Sequence, residues 1–90
     1  GKTKVTVKVE PLSEILKRHN IKHIDFCTID TEGGELEILE SIDFNEVMID
    51  IIFVENNYNE DKNQKFLETK GYTLMYKIGS DEVYLKNKNK

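Results

Sequence analysis

The chain has 90 residues and a formal net charge of −4 at pH 7, so it has room for one compact domain and no second core. Acidic and basic side chains are interspersed along it, which speaks against nucleic acid as a partner. The single cysteine, Cys27, excludes an internal disulfide framework and a cysteine-rich zinc site. A single cysteine is compatible with a reducing, cytoplasmic setting, which is the location we expect. No apolar stretch approaches the roughly 18 residues that a membrane span needs, so we expect no membrane partner.

Three polar features are interpreted as having no chemical role. Residues 86–90 are rich in lysine but lack interleaved aromatic side chains, so 87–90 are interpreted as a tail that frays into solvent. Cys27 lies in an apolar run with no histidine posed to activate it, which predicts a buried, unreactive thiol. His19 and His23 lie around a predicted helix end and are interpreted as surface residues, and no metal site is expected.

The first predicted elements are a strand and a short helix. Valines at positions 5, 7 and 9 alternate with polar residues, which is the period-2 pattern of a half-exposed edge or accessory strand. Pro11 suits the first position of a helix, and apolar residues at 12, 15 and 16 fall on one face of it. We expect Asn20 to end this amphipathic helix.

A buried strand and a second helix come next. The run from Ile24 to Asp30, IDFCTID, is too short for a buried helix and is rich in β-branched and aromatic residues. Gly33 and Gly34 follow, and leucine and isoleucine residues between positions 36 and 42 then recur at the spacing of a helix that packs on a sheet. Either Asp30 or Thr31 is expected to cap this helix.

The same order is then repeated. Residues Ile49 to Glu55, IDIIFVE, predict a second buried strand that also ends in a carboxylate. A helix is predicted from Asn59 to Lys70, with Asn59 or Asp61 near its cap and Gly71 as its left-handed stop. Strand, helix, strand and helix in short succession favour parallel strands with right-handed crossovers.

The last third of the chain predicts a hairpin. Tyr72 to Ile78 and Glu82 to Lys86 are β-rich segments, and only Gly79, Ser80 and Asp81 separate them. So tight a connection makes the two strands antiparallel. The predicted fold is therefore α/β, with parallel strands that finish in an antiparallel hairpin and with helices packed on the sheet.

Acidic residues follow both predicted parallel strands. Asp30 and Glu32 follow the first and Glu55 ends the second, and open α/β sheets bind ligands beyond the carboxyl ends of their strands. We therefore expect these three carboxylates to share one rim. Gly33 and Gly34 would let the backbone approach a ligand closely, beside the free N–H groups of a helix N-terminus. The alternative is that the two glycines only form a tight turn.

The remaining acids of this region differ in how they are interpreted. Glu35 and Glu37 lie in the first turn of the predicted helix, where acid is favourable near the positive end of the helix dipole, so we interpret them as structural. Glu55 directly follows IIFV, and a carboxylate there is costly to bury without a partner. We therefore interpret Glu55 as functional.

A family resemblance centres on the first buried strand and its helix. The segment IDFCTIDTEGGELEILESID is similar to one of the FkbM family of methyltransferases, in which an apolar strand runs into a D-x-E-G-x-E motif and then a helix. Val9 to Leu16 resembles the family's leader helix, IIFVE its next strand, and KGYTLMY with DEVYLKN its closing hairpin. The resemblance covers nearly the whole chain. One departure is Thr28, which stands where the family usually has lysine.

The resemblance implies a partial Rossmann-like methyltransferase sheet, with this chain as the C-terminal half of a class I domain. It implies methyl transfer from S-adenosylmethionine to a hydroxyl of a sugar or secondary metabolite, a small-molecule acceptor. Asp30, Thr31 and Gly33 would bind the cofactor, most of whose site would lie outside this chain. Asp30, Glu32 and Glu55 would be catalytic, with Asp30 as the first candidate for the general base. The isolated chain is expected to be inactive.

Two other interpretations stay open. IDTEGG also resembles the first motif of metal-dependent 3′-5′ exonucleases, which would need further aspartates to converge on the metals and would have a hairpin after the acidic strand. Alternatively, the chain is a non-catalytic fragment or an assembly partner. An exposed sheet edge in such a fragment could support a homodimer.

Overall fold

A computed structural model describes residues 2–8, 12–31, 33–55 and 61–88. The predicted proline start of the first helix at Pro11 and the predicted start of the third helix at Asn59 lie outside these residues. In chain order the elements are β1 (Lys4–Val7), α1 (Leu12–His19), β2 (His23–Ile29), α2 (Glu35–Ser41), β3 (Met48–Glu55), α3 (Lys62–Thr69), β4 (Tyr72–Ile78) and β5 (Asp81–Lys86).

The strands of the described residues form one mixed sheet in the order β1-β2-β3-β5-β4. β1, β2 and β3 are parallel, whereas β5 runs antiparallel to both β3 and β4. β1 lies at one edge, as its alternating valines predict. Gly79 and Ser80 connect β4 to β5, and Gly79 has the positive φ of +61° that a two-residue hairpin turn takes at its first position. The predicted α/β fold with a closing hairpin is confirmed.

The helices of the described part of the chain lie on one face of the sheet. β1, β2 and β3 follow one another across the sheet in chain order, so the right-handed crossovers that parallel strands favour place α1 and α2 in one layer. α2 contacts both α1 and α3. The core between this layer and the sheet contains Cys27, Ile29, Ile52 and Val54, all fully buried. The burial of Cys27 confirms the predicted buried thiol, and it raises the pKa of that thiol to about 12. None of these helices is longer than eight residues, too short to cross a bilayer.

The opposite face of the sheet carries apolar side chains that no described helix covers. Because neighbouring strand residues point to opposite faces, Phe26, Ile51 and Phe53 point away from the helix layer. All three are only half-buried, and the Phe26 and Phe53 rings stack with their centroids 6.4 Å apart. Val83 and Leu85 pair with Phe53 and Ile51 on the neighbouring strand. These five residues are called the open face below.

Helix ends agree with the sequence at some positions and not at others. Asn20 follows α1 with a φ of +53°, and Gly71 follows α3 with a φ of +88°, as predicted for residues that end helices. The prediction that Asp30 or Thr31 caps α2 is wrong. The N-cap is Gly34, and no side chain hydrogen-bonds to this helix start as a cap. The cause is the length of the loop, which places the first helical turn beyond the reach of a cap at either residue.

Hydrogen bonds hold Asn87, just after β5, in place. The Asn87 N–H donates to the Gly71 carbonyl at 2.7 Å, and the Thr73 hydroxyl donates to the Asn87 side chain. Asn87 belongs to the segment that the sequence assigns to a frayed tail, and residues 89–90 lie outside the described residues.

Candidate active site

The carboxyl ends of β2 and β3 lie side by side. Ile29 pairs with Val54 in the parallel register, so Asp30 and Glu55 each stand one residue further along neighbouring strands. Asp30 is exposed, and its N–H donates to the Val7 carbonyl at 2.9 Å, which continues the ladder between β1 and β2. Glu55 is half-buried. This end of the sheet, marked by Asp30 and Glu55, is called the carboxyl rim below.

Glu35 holds the loop between β2 and α2 in shape. Its side chain is only 3% exposed, and its Oε2 accepts hydrogen bonds from the Thr31 hydroxyl at 3.2 Å and from the Gly33 N–H at 3.1 Å. Gly33 has a φ of +89°, a left-handed conformation that favours glycine. The carboxylate therefore ties the loop to the first turn of α2, a structural role that is more specific than interaction with the helix dipole.

This arrangement bears on the residues predicted to bind a cofactor. The Thr31 hydroxyl and the Gly33 N–H already donate to Glu35, so a ligand would have to compete with Glu35 for both donors. Asp30 shares the rim with Glu55 and is open to solvent. Glu32 lies outside the described residues. The catalytic roles of Asp30, Glu32 and Glu55 stay predictions. So do the cofactor-binding roles of Asp30, Thr31 and Gly33.

Sequence reasoning missed a second carboxylate beside Glu55. Asp81 is the first residue of β5 and pairs directly with Glu55 across the antiparallel ladder. Residues that pair directly in this way project to the same face, so the two carboxylates are neighbours. The sequence assigned Asp81 to the hairpin turn, and only the register of β5 against β3 brings it to the rim.

The family model of the Methyltransferase FkbM domain matches residues 1–83, which include the loop, both rim carboxylates and the hairpin turn. The chain belongs to the FkbM methyltransferase family. Searches of curated proteins and of solved structures gave no significant match. The family resemblance carried by IDTEGGELE is therefore confirmed, and with it a methyltransferase assignment at the level of the family.

A buried polar pair fixes the hairpin of this FkbM domain next to the rim. Glu82 is 2% exposed, and it accepts a hydrogen bond from the Tyr84 hydroxyl at 2.7 Å and lies 3.4 Å from Lys77 Nζ. Burial, and then the hydrogen bond to Glu82, raise the pKa of Tyr84 well above its usual range, so this hydroxyl stays a donor. Lys77 on β4 and Glu82 on β5 join the two strands of the hairpin, and because Glu82 pairs with Val54, the network lies beside the end of β3 where Glu55 lies.

Two cavities of the FkbM domain lie at the other end of the sheet. One, of about 630 Å³, is lined by residues 42–49 and by Tyr72. The other, of about 500 Å³, lies between α1 and the loop that follows α2 and is lined by Leu16 and Ile42. Neither is lined by Asp30 or Glu55, so neither is the site at the carboxyl rim.

Proposed function

We propose that this chain is the C-terminal half of an S-adenosylmethionine-dependent methyltransferase that acts on a hydroxyl of a sugar or secondary metabolite. The observation that carries the proposal is the FkbM match over residues 1–83. The motif segment of that family leaves the carboxyl end of β2, where open α/β sheets bind their ligands. The free thiol of Cys27 is compatible with a reducing compartment, and a cytoplasmic location belongs to the same proposal.

The rim carboxylates have distinct roles in this proposal. S-adenosylmethionine, when bound, supplies an electrophilic methyl group. Asp30 is exposed and can approach an acceptor hydroxyl, whose proton it takes as a general base. Glu55 stands on the neighbouring strand and orients the acceptor, which favours the reaction by alignment. Glu32, outside the described residues, is the second candidate for the base.

The described residues fit only part of the cofactor. The exposed Asp30 carboxylate can accept hydrogen bonds from it, whereas the donors of Thr31 and Gly33 are engaged by Glu35. We therefore propose that most of the cofactor site belongs to a further part of a larger enzyme. The isolated chain would then be inactive.

The open face supports this larger enzyme. Parallel sheets normally have both faces covered, and here apolar residues such as Phe26 and Phe53 are only half-buried. A further segment that packs on this face would bury them and would bring the rest of the cofactor site to the rim. The outer edges of β1 and β4 pair with no strand among the described residues, so a homodimer through one of them stays a proposal.

The test compares this chain with a longer protein that contains it and the proposed preceding half. Isothermal titration calorimetry with S-adenosylmethionine should detect micromolar binding by the longer protein and none by this chain. In the longer protein, Asp30→Asn should lower kcat for methyl transfer by about 10²- to 10⁴-fold, the usual contribution of a general base. The assay measures S-adenosylhomocysteine formed with a panel of hydroxylated acceptors.

Asp43→Asn is the matched control, because Asp43 is an exposed acid in the loop before β3, at the other end of the sheet. It should leave kcat within about twofold. Full activity of the Asp30→Asn protein would show that Asp30 is not the base. Micromolar binding of S-adenosylmethionine by this chain alone would show that the cofactor site is not divided as proposed.

The exonuclease alternative is not favoured by the fold. It requires a hairpin after the first acidic strand, whereas α2 follows β2. Asp50 lies on the amino half of β3, at the opposite end of the sheet from Asp30. These two aspartates therefore cannot share a metal pair at the carboxyl rim.

A further inference from the structure

Three polar side chains meet at the amino ends of β2 and β3. Ile24 pairs with Ile49 and Phe26 with Ile51, so Asp25 and Asp50 stand opposite each other on neighbouring strands. His23 precedes Asp25 by two residues, which places both on the same side of β2. This group of His23, Asp25 and Asp50 is called the histidine cluster below.

The ligand atoms of the histidine cluster are already close together. His23 Nε2 lies 3.0 Å from Asp50 Oδ2 and 4.0 Å from Asp25 Oδ1. One nitrogen or oxygen from each residue lies within 4.8 Å of the others. His23 and Asp50 are about half-exposed and Asp25 is 23% exposed at the side chain, so a solvated ion can reach all three.

The cluster carries more negative charge than its own histidine can offset. Two carboxylates directly opposite each other on neighbouring strands destabilise the sheet unless a cation lies between them. The Thr3 N–H donates to Asp25 Oδ2 at 2.7 Å, whereas Asp25 Oδ1 lies 4.0 Å from His23 Nε2. The neighbouring Lys22 is directed to Glu46, at 3.9 Å.

We propose that His23, Asp25 and Asp50 bind a divalent transition-metal ion, of which Zn²⁺ is the representative. One imidazole with two carboxylates is a ligand set for zinc and its neighbours rather than for calcium or magnesium, which take oxygen ligands. Bonds of about 2.0–2.2 Å in a tetrahedron place ligand atoms roughly 3.3 Å apart. The separations in the cluster span this distance, so small side-chain rotations complete the site, and water takes the fourth position.

The position of the cluster indicates a structural role. Asp25 is on β2, and Asp30 follows the end of this strand five residues later. Five residues of extended strand span about 17 Å, so the ion would be remote from the carboxyl rim. It would hold the amino ends of β2 and β3 together. Through the Thr3 N–H that orients Asp25, it would also support the chain that enters β1. Small domains commonly gain stability from such a metal, because binding energy becomes folding energy.

The test titrates ZnCl₂ into the metal-free chain. Isothermal titration calorimetry should give one site with micromolar affinity, and Tm should rise with the zinc concentration. His23→Ala and Asp50→Asn should each weaken binding by at least tenfold and reduce the rise in Tm at a given zinc concentration. His19→Ala is the matched control, because His19 is an exposed histidine on α1 outside the cluster. It should leave both quantities unchanged.

A measurement on the unmodified chain covers the case in which a variant fails to fold. Zinc should shift the imidazole NMR signals of His23 and leave those of His19 in place. The proposal is overturned if zinc leaves Tm unchanged, if His19 responds as strongly as His23, or if folded His23→Ala binds zinc as the unmodified chain does. Neither methyl transfer nor S-adenosylmethionine enters this test, so its result is independent of the proposed function.

Discussion

Glu35 shows how one side chain can decide the shape of a candidate active-site loop. Its buried carboxylate accepts from the Thr31 hydroxyl and the Gly33 N–H, and it belongs to the first turn of α2. A pattern-based interpretation sees only an acid near a helix start. The two accounts predict different effects on stability. A dipole interaction at an exposed position contributes less than about 1 kcal/mol, whereas the loss of two hydrogen bonds to a charged group costs more.

We therefore predict that Glu35→Ala lowers the free energy of unfolding by about 2–4 kcal/mol, since each hydrogen bond to a charged group contributes roughly 1.5–3 kcal/mol. Glu35→Gln keeps an oxygen that can accept, so its effect should be about half as large. Glu37→Ala, in the same turn but exposed, is the control and should cost less than about 1 kcal/mol. Urea unfolding measures all three, and equal losses for Glu35→Ala and Glu37→Ala would contradict the role of Glu35.

The elements divide into those that the sequence determines and those that depend on register. Strands β2 and β3 and the closing hairpin were predictable, because apolar runs, glycines and short connections are local signals. The proximity of Asp81 to Glu55 and that of Asp25 to Asp50 could not be predicted, because each depends on how two strands are aligned. The histidine cluster proposed above as a metal site depends on the second of these alignments, so its three residues could not be grouped from the sequence.

A glycine at a helix end is a local signal that can be tested directly. Gly71 has a φ of +88°, and a Cβ added there would meet nothing within 4 Å. Any cost of Gly71→Ala is therefore backbone strain, and we predict about 1–2 kcal/mol. Gly71→Asn should cost clearly less, because asparagine tolerates this conformation. Urea unfolding compares the two, and equal costs would mean that strain at φ is not the cause.

At the scale of the whole molecule, β3 is apolar on both of its faces, but helices among the described residues cover only one of them. Its alternate residues Ile52 and Val54 are fully buried under the helices, whereas Ile51 and Phe53 on the open face are half-buried. A run that is apolar on both faces is typical of a parallel strand covered on both sides. The sequence thus predicts a strand buried on both faces, while the described residues bury only one. In the proposed larger enzyme, a further segment would cover the open face, so that β3 would be buried on both sides.

Ile51 and Ile52, which lie on opposite faces of β3, allow a test of this proposal. In this chain, Ile52→Thr should lower the free energy of unfolding by about 2–4 kcal/mol, because it loses buried methyl groups and buries a hydroxyl. Ile51→Thr keeps a β-branched side chain at a half-exposed position and should cost less than about 1 kcal/mol. In the longer protein the cost of Ile51→Thr should rise to that of Ile52→Thr, because the added segment would bury Ile51. Chemical unfolding of both proteins measures these costs, and a cost for Ile51→Thr that stays small in the longer protein would show that the open face is not where the proposed missing half packs.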